Sequence, residues 1–296
     1  MYDTIIVGGG PAGLSAALIL GRCRRRVLVC DAGRPRNAVS CAVHGFLSRD
    51  GVDPWELRAI ARAQLAPYEV EVRDVEVTDA RRVAEGFEVE LRGRTWLRAR
   101  TLLLATGLLD AIPDIPGFAE LYGRGVYTCP YCDGAEVRDR PLAVYGDRPG
   151  AASLALLLKT WSDDVTLCVA SRDALATDDA IRLARNTIAV CNEPIVELEA
   201  VDGRLARIVF ASGAVRCAGL FLKTGQVQCS PLPGRLGCRF DDRAAVPTDR
   251  YERSGIPGLF VAGDASEDAQ LAIVAAAEGA KAAIAINSEL QRERER

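Results

Sequence analysis

Histidine is almost missing from this sequence: one residue, His44, stands among 296. A structural zinc site takes four ligands, commonly as two paired motifs of the Cys-x-x-Cys or His-x-x-x-His kind, and this chain has no second pair, so no metal is expected. A basic excess is missing too. With 37 basic and 40 acidic residues and a formal charge of -3, composition gives phosphate backbones nothing to bind, and no nucleic-acid partner is expected. No apolar run reaches the roughly 18 residues of a membrane span. Even the stretch 269–287 is interrupted by Glu278 and Lys281, and no membrane partner is expected. Met1-Tyr2-Asp3-Thr4 runs straight into Ile5-Ile6-Val7 without a basic region and a cleavable apolar segment, so a cytoplasmic location is expected. The ten cysteines lie scattered at 23, 30, 41, 129, 132, 168, 191, 217, 229 and 238, unlike the dense framework of a small secreted domain. Most read as buried thiols; Cys30 and Cys168 sit inside apolar, strand-like runs.

The residues that are present support a chain with two cores, since 49% are hydrophobic over a length suited to two domains. Thr4-Ile5-Ile6-Val7 is a short β-branched run, and Pro11 to Leu20 has the Ala/Leu pattern of a helix. Between them Gly8, Gly10 and Gly13 keep the G-x-G-x-x-G spacing around Pro11 and Ala12. That spacing gives a tight turn, lets backbone approach a pyrophosphate, and lets helix pack closely on strand, with the helix N-terminus supplying the positive end. A second strand, Arg26 to Cys30, ends at Asp31, placed for a ribose hydroxyl. Two further strand-and-turn elements follow: Thr101 to Ala105 with Thr106-Gly107, and Gly258 to Ala262 with Gly263-Asp264 before a long helix from about Gln270.

Cys129-Pro130-Tyr131-Cys132-Asp133-Gly134 is the most informative stretch. This spacing allows a local disulfide and can lower one thiol's pKa, while Asp133 offers a proton donor and acceptor beside the sulfurs. Zinc ligation and chance packing are the rival readings of the pair.

In order, Gly8 to Gly13, Ala105-Thr106-Gly107, Cys129-Pro130-Tyr131-Cys132-Asp133 and Gly263-Asp264-Ala265 resemble the low-molecular-weight thioredoxin reductases over nearly the whole chain. The resemblance implies an α/β fold of two Rossmann-like, doubly wound, three-layer nucleotide-binding domains. An FAD domain of residues 1–113 and 246–296 would be interrupted by a central domain, 114–245, carrying the cysteine pair, with 112–117 and 245–247 as connecting strips. It implies FAD held by the Gly8–Gly13 turn, Asp31, Gly107, Gly263 and Asp264, and by backbone groups of Leu271 and Ala272. It also implies that Cys132 faces the flavin, Cys129 attacks a partner disulfide, Asp133 is the acid–base group, thioredoxin or a similar protein is the partner, and the chain is a homodimer.

Two departures bear on the electron donor. Gly146 to Ala151 has Arg148 where the middle glycine of a second nucleotide turn belongs, and Val169-Ala170-Ser171 replaces the His-Arg-Arg type sequence that grips the 2′-phosphate of NADPH. Arg172 alone is a poor substitute. NADPH use is therefore doubtful, and ferredoxin or another donor is the alternative. Residues 36–47, including Arg36, Asn37 and His44, also differ from typical reductases; these three are expected at the cofactor, His44 either against the flavin or as a hydrogen-bonded loop residue. That segment is similar to relatives acting on small-molecule disulfides, which keeps such a substrate open, as well as a non-enzymatic flavin redox sensor.

Elsewhere, Asp53-Pro54 predicts a helix over 54–66, strands are expected at 70–77, 87–91 and 96–98, and a meander at 195–198, 205–210 and 215–222.

Overall fold

The structure, a computed structural model, describes residues 1–146, 149–169, 175–266 and 269–295. The chain divides into two compact units, one of Met1–Ala38, Gly45–Leu109 and Gln226–Arg296, the other of Val39–His44 and Asp110–Gly225.

Unit 1 is built on a parallel sheet. Its strands are β1 (Tyr2–Val7), β2 (Val27–Cys30), β3 (Val70–Arg73), the long β6 (Thr95–Leu104) and β17 (Leu259–Val261), in the order β3-β2-β1-β6-β17. Near-continuous burial along β1, β2 and β17 is what strands covered on both faces require. The first half of β6 instead pairs antiparallel with β5 (Gly86–Leu91), and β5 with β4 (Val77–Val83). The side-chain alternation of strands separates two cores. Ile5, Leu28, Leu102 and Leu104 point toward Val77, Phe87 and Val89 of the meander. Ile6, Val29, Leu103 and Phe260 point toward Ala16, Ala17 and Leu20 of α1 (Pro11–Arg22) and toward Ala282, Ala283 and Ile286 of α8 (Ala272–Arg294). Small residues let the two helices come close: a Cβ on Gly279 would stand 2.0 Å from the Ala12 carbonyl oxygen. At α2 (Pro54–Ala63) Asp53 is the N-cap, accepting from the Trp55 N–H at 2.8 Å and the Glu56 N–H at 3.1 Å. The helix stops three residues before the expected end, and Leu65 is buried in the turn beyond it.

Unit 2 repeats the three-layer plan. Strands β8 (Val126–Tyr127), β9 (Leu142–Tyr145), β10 (Val165–Cys168), β11 (Ala189–Cys191) and β15 (Gly219–Leu222) form a parallel sheet ordered β11-β10-β9-β15-β8. One face packs on α5 (Ala151–Leu158) and on Leu183 of α6 (Thr177–Arg185). The other packs on the antiparallel β12 (Ile195–Val201), β13 (Arg204–Phe210) and β14 (Gly213–Arg216), through Ile195, Leu198, Leu205 and Ile208. The remaining short elements are β7 (Leu108–Asp110), which pairs with β16 (Gln226–Gln228), and α3 (Phe118–Leu121), α4 (Pro130–Asp133) and α7 (Leu232–Arg235). Two Rossmann-like halves, each with a parallel sheet between a helix layer and a meander, are thus present as expected.

Three local expectations differ. The run 215–222 is two strands: β14 closes the meander, the chain breaks at Cys217-Ala218, and β15 enters the parallel sheet between β9 and β8. The run 70–77 likewise splits, β3 pairing parallel with β2 and β4 antiparallel with β5. Residues 226–245 pack in unit 1, with Leu232 and Cys238 in the core that holds Phe87. Among the described residues no helix is long and apolar enough to cross a membrane.

Candidate active site

Val7, Leu104 and Val261 lie side by side at the C-terminal ends of β1, β6 and β17. The three glycine-bearing turns, Gly8–Gly13, Ala105–Gly107 and Ala262–Asp264, therefore leave the sheet at one edge, where open α/β sheets bind nucleotides. Gly8 needs its left-handed φ of +113, and a Cβ there would lie 2.1 Å from the Ala105 carbonyl oxygen. A Cβ on Gly13 would lie 1.9 Å from the Gly8 carbonyl oxygen, so its smallness serves the packing of helix on turn. Gly10 differs: a Cβ there meets no protein atom within 4 Å. Its role lies in the space it leaves open. Pro11 opens α1 with Ala12 buried beneath; Gly10 provides no side-chain cap and the first turn holds no acid, so the helix start keeps its unpaired N–H groups and positive end.

Asp31, at the end of β2, is 6% exposed and accepts from the Gly33 N–H at 3.0 Å. It also pairs with Arg58 of α2, whose Nε donates to the Gly9 carbonyl oxygen at 3.2 Å. Sequence reasoning missed Arg58; the only signal was an arginine next to Leu57 on the inward stripe of an amphipathic helix. Arg36 Nη1 donates to Asp264 Oδ2 and to Gln270 Oε1, each at 2.8 Å. The Asp264 charge is thereby balanced beside a turn expected to meet a pyrophosphate. Asn37 follows in the same half-buried 3-10 turn, Arg36–Val39. Gly107 takes a φ of +71, and the adjoining Thr106 Oγ1 is buried with no hydrogen-bond partner among the described residues. Glu278 of α8, also missed, is 3% exposed and accepts from the Gly263 N–H at 2.6 Å and from Ser266 Oγ at 2.9 Å, fixing the Gly263–Ala265 turn. Leu271 caps α8 without a side-chain bond, and Ala272 begins it with no acid in its first turn. An open cradle at Gly10, an unsatisfied buried hydroxyl at Thr106 and two bare helix starts in one unit are what an FAD site asks of this chain, and the residues fit it.

The redox pair lies in unit 2. Cys129 and Cys132 form a disulfide with Cα atoms 5.3 Å apart, within the usual span. The pairing is the oxidised form that dithiol chemistry uses. Cys129 is the N-cap of α4, and its Sγ receives the Cys132 N–H at 3.1 Å. Both sulfurs are half-buried, while Tyr131 between them is 66% exposed and stacks edge-on to Trp161. Burial pushes the Asp133 carboxyl up to about 6, with His44 pulling it down and Glu136 pushing it up. Tyr127 is raised to about 12, by burial first and then by the Asp133 charge. The structure groups His44 with the redox pair in unit 2.

At the second nucleotide turn, Gly146 is tight, a Cβ there falling 2.5 Å from the Lys223 carbonyl oxygen, and Gly150 caps α5 at a φ of +96. Arg148, Ala170, Ser171 and Arg172 lie outside the described residues.

Residues 2–279 match the family model for pyridine nucleotide-disulphide oxidoreductases. A protein of Arthroderma benhamiae named as a probable thioredoxin reductase is 32% identical, the match covering 99% of this chain and 81% of that protein. Among solved structures, TrxB of Bacillus anthracis, named as a putative thioredoxin reductase, superposes with a TM-score of 0.92 at 32% identity, covering 99% of this chain and 100% of that one. HlmI superposes with a TM-score of 0.91 at 38% identity, covering 99% and 93%. With the family model matched over residues 2–279 and a relative 32% identical across 99% of its length, this chain belongs to the pyridine nucleotide-disulphide oxidoreductases.

Proposed function

We propose that this flavoprotein is a thioredoxin-reductase-like enzyme in which the Cys129–Cys132 disulfide takes up an electron pair and hands it to thioredoxin or a similar protein disulfide. The observation that carries the reading is the half-buried disulfide with Asp133 beside it, its carboxyl held near neutrality. FAD, when bound by the unit 1 turns, supplies the electron pair. Once the disulfide is open, the Cys132 N–H aimed at Cys129 Sγ favours a thiolate there, which suits Cys129 for attack on a partner disulfide. Each exchange expels a thiolate, and Asp133 is placed to give it a proton. The names of the relatives support the thioredoxin class of partner.

For the electron donor we propose ferredoxin or another reductant in place of NADPH, on the sequence at Arg148 and 169–171. Anaerobic mixing of the yellow protein with NADPH, NADH and reduced ferredoxin, followed by flavin bleaching, tests this; rapid bleaching by NADPH overturns it. Steady-state reduction of thioredoxin tests the partner. Turnover of a small cyclic disulfide with none of thioredoxin, or stoichiometric oxidation without turnover, overturns the partner class and the catalytic reading respectively. Cys129→Ser and Cys132→Ser should each stop turnover while trapping different intermediates. Equal retained activity in both refutes the scheme. A homodimer is also proposed, to be read by light scattering.

A further inference from the structure

The chain's single histidine is held beside the acid of the redox pair. His44 closes the segment 39–44, which packs in unit 2 although the sequence on both sides of it belongs to unit 1. The segment is seated firmly. At Gly123, φ +79, a Cβ would lie 2.4 Å from the Val39 carbonyl oxygen, and the Gly123 N–H bonds across the turn to the Val126 carbonyl at the start of β8. Val43, next to His44, is buried. From this base the imidazole Nε2 reaches to 3.7 Å from Glu136 Oε1. Glu136 lies on the 3-10 turn Gly134–Val137 that directly follows Asp133. The His44 side chain is 23% exposed and the Glu136 side chain 57%, so this corner is open to water on the Glu136 side while Asp133 lies deeper.

Three elements present ionisable groups to Asp133: the segment 39–44 through His44, the 3-10 turn through Glu136, and β8 through Tyr127. Cys41 and Arg204 act on Tyr127 in turn. Of the charged groups acting on Asp133 among the described residues, His44 is the one that can carry positive charge. Removing it leaves the carboxyl facing burial and the like charge of Glu136, both of which disfavour the carboxylate. An acid that must give up a proton at a thiolate and then recover one has to reach both forms under working conditions.

Resting on the acid–base reading of Asp133 given above, we propose that His44 is a positioning residue for dithiol exchange, its imidazolium stabilising the Asp133 carboxylate that remains once the proton has moved to sulfur. The step conserves charge: a cysteine thiolate and the Asp133 carboxylic acid become a thiol and a carboxylate, and His44 gains and loses nothing. Glu136 orients the ring.

The test uses the FAD-loaded protein and its His44→Gln and His44→Lys variants, with Asp133→Asn as the reference that assigns the signal. Two readouts are followed across pH: the carboxylic-acid C=O band in redox-difference infrared spectra, and the single-turnover rate of the photoreduced protein with an aromatic disulfide. In His44→Gln the midpoint of the Asp133 band should rise by about one pH unit, and the rate profile should shift with it. His44→Lys keeps a cation and should return the midpoint to the native value or below. An unmoved midpoint in His44→Gln, or a lysine variant that behaves like the glutamine variant, overturns the proposal while leaving the dithiol reading intact. A native protein whose rate profile is unchanged by Asp133→Asn removes the acid–base reading, and the role of His44 with it. Loss of yellow colour in His44→Gln alone, with the band unmoved in the protein that stays loaded, likewise counts against it and in favour of cofactor contact.

Discussion

Replacing Gly10 by Ala separates what the glycine turn does for the protein from what it does for a nucleotide. At Gly10 the backbone φ is -80, open to any residue, and a Cβ meets no protein atom within 4 Å. In the bare protein Gly10→Ala should be neutral, or stabilising by about 0.4–1 kcal/mol through the unfolded chain. Gly13→Ala is the contrast. Helix propensity favours alanine there by about 0.8–1 kcal/mol. Against this, its Cβ would lie 1.9 Å from the Gly8 carbonyl oxygen, where contacts under 3.0 Å force something to shift. Overpacking of this kind costs about 1–3 kcal/mol, so the clash wins and the turn loosens. For FAD the order reverses in kind. The Gly10 methyl would occupy the space through which a pyrophosphate reaches the N–H groups of α1, and losing one hydrogen bond to a charged group costs about 1.5–3 kcal/mol. That corresponds to roughly ten- to hundredfold weaker binding. Urea unfolding of apoprotein, followed by circular dichroism, reads the first quantity; quenching of FAD fluorescence reads the second. A Gly10→Ala apoprotein destabilised by more than about 1 kcal/mol, or one that binds FAD as tightly as the native protein, refutes the reasoning.

Three further outcomes are expected. The Asp133 carboxyl is raised to about 6 from an ordinary 3.8, so the folded state holds its proton more tightly than the unfolded chain. The resulting stability is fully present below the unfolded value and is lost as pH rises through about 6. Asp133→Asn should therefore stabilise the disulfide form by about 3 kcal/mol at pH 8 and by well under about 1 kcal/mol at pH 4, as read by denaturant titration at both; a pH-independent change contradicts it. Arg58→Ala strands the buried Asp31 carboxylate and should destabilise unit 1 by about 3 kcal/mol in urea, whereas a loss under about 1 kcal/mol would mean that Asp31 is satisfied without it. Glu278→Ala leaves the buried Gly263 N–H without its acceptor, at about 1–3 kcal/mol, the Ser266 hydroxyl keeping the Gly263 carbonyl at 2.8 Å, while Glu278→Gln retains an acceptor and should lose less; equal losses in the two would contradict this reading of the turn.

The nucleotide turn was legible because backbone geometry there is written in residue type. Gly8 must take a positive φ, Gly13 must be small, and both demands leave glycine as the choice at fixed spacing. The paired cysteines were legible for a similar reason, since three residues along the chain already bring two sulfurs within bonding range. The split of 215–222 was hidden because Val215 and Leu220 have the same strand preference, and what separates them is which sheet each joins. Arg58 and Glu278 were hidden as charged residues on helices, a pattern that usually marks a wet face; their burial follows from partners 27 and 15 residues away. The membership of His44 in unit 2 was hidden because the six residues 39–44 belong there while the sequence on both sides belongs to unit 1, and nothing in local composition announces such a crossing.

The long strand β6 has a consequence for the way the chain is made. Its first half finds a partner within the preceding hairpin, but the flank of Leu102, Leu103 and Leu104 is closed only by β17. That strand, and the helix α8 that covers the same leucine face, are translated after the whole of unit 2. Throughout that interval a nascent chain carries an open, apolar sheet edge, the kind of surface that recruits chaperones or pairs with a neighbouring polypeptide.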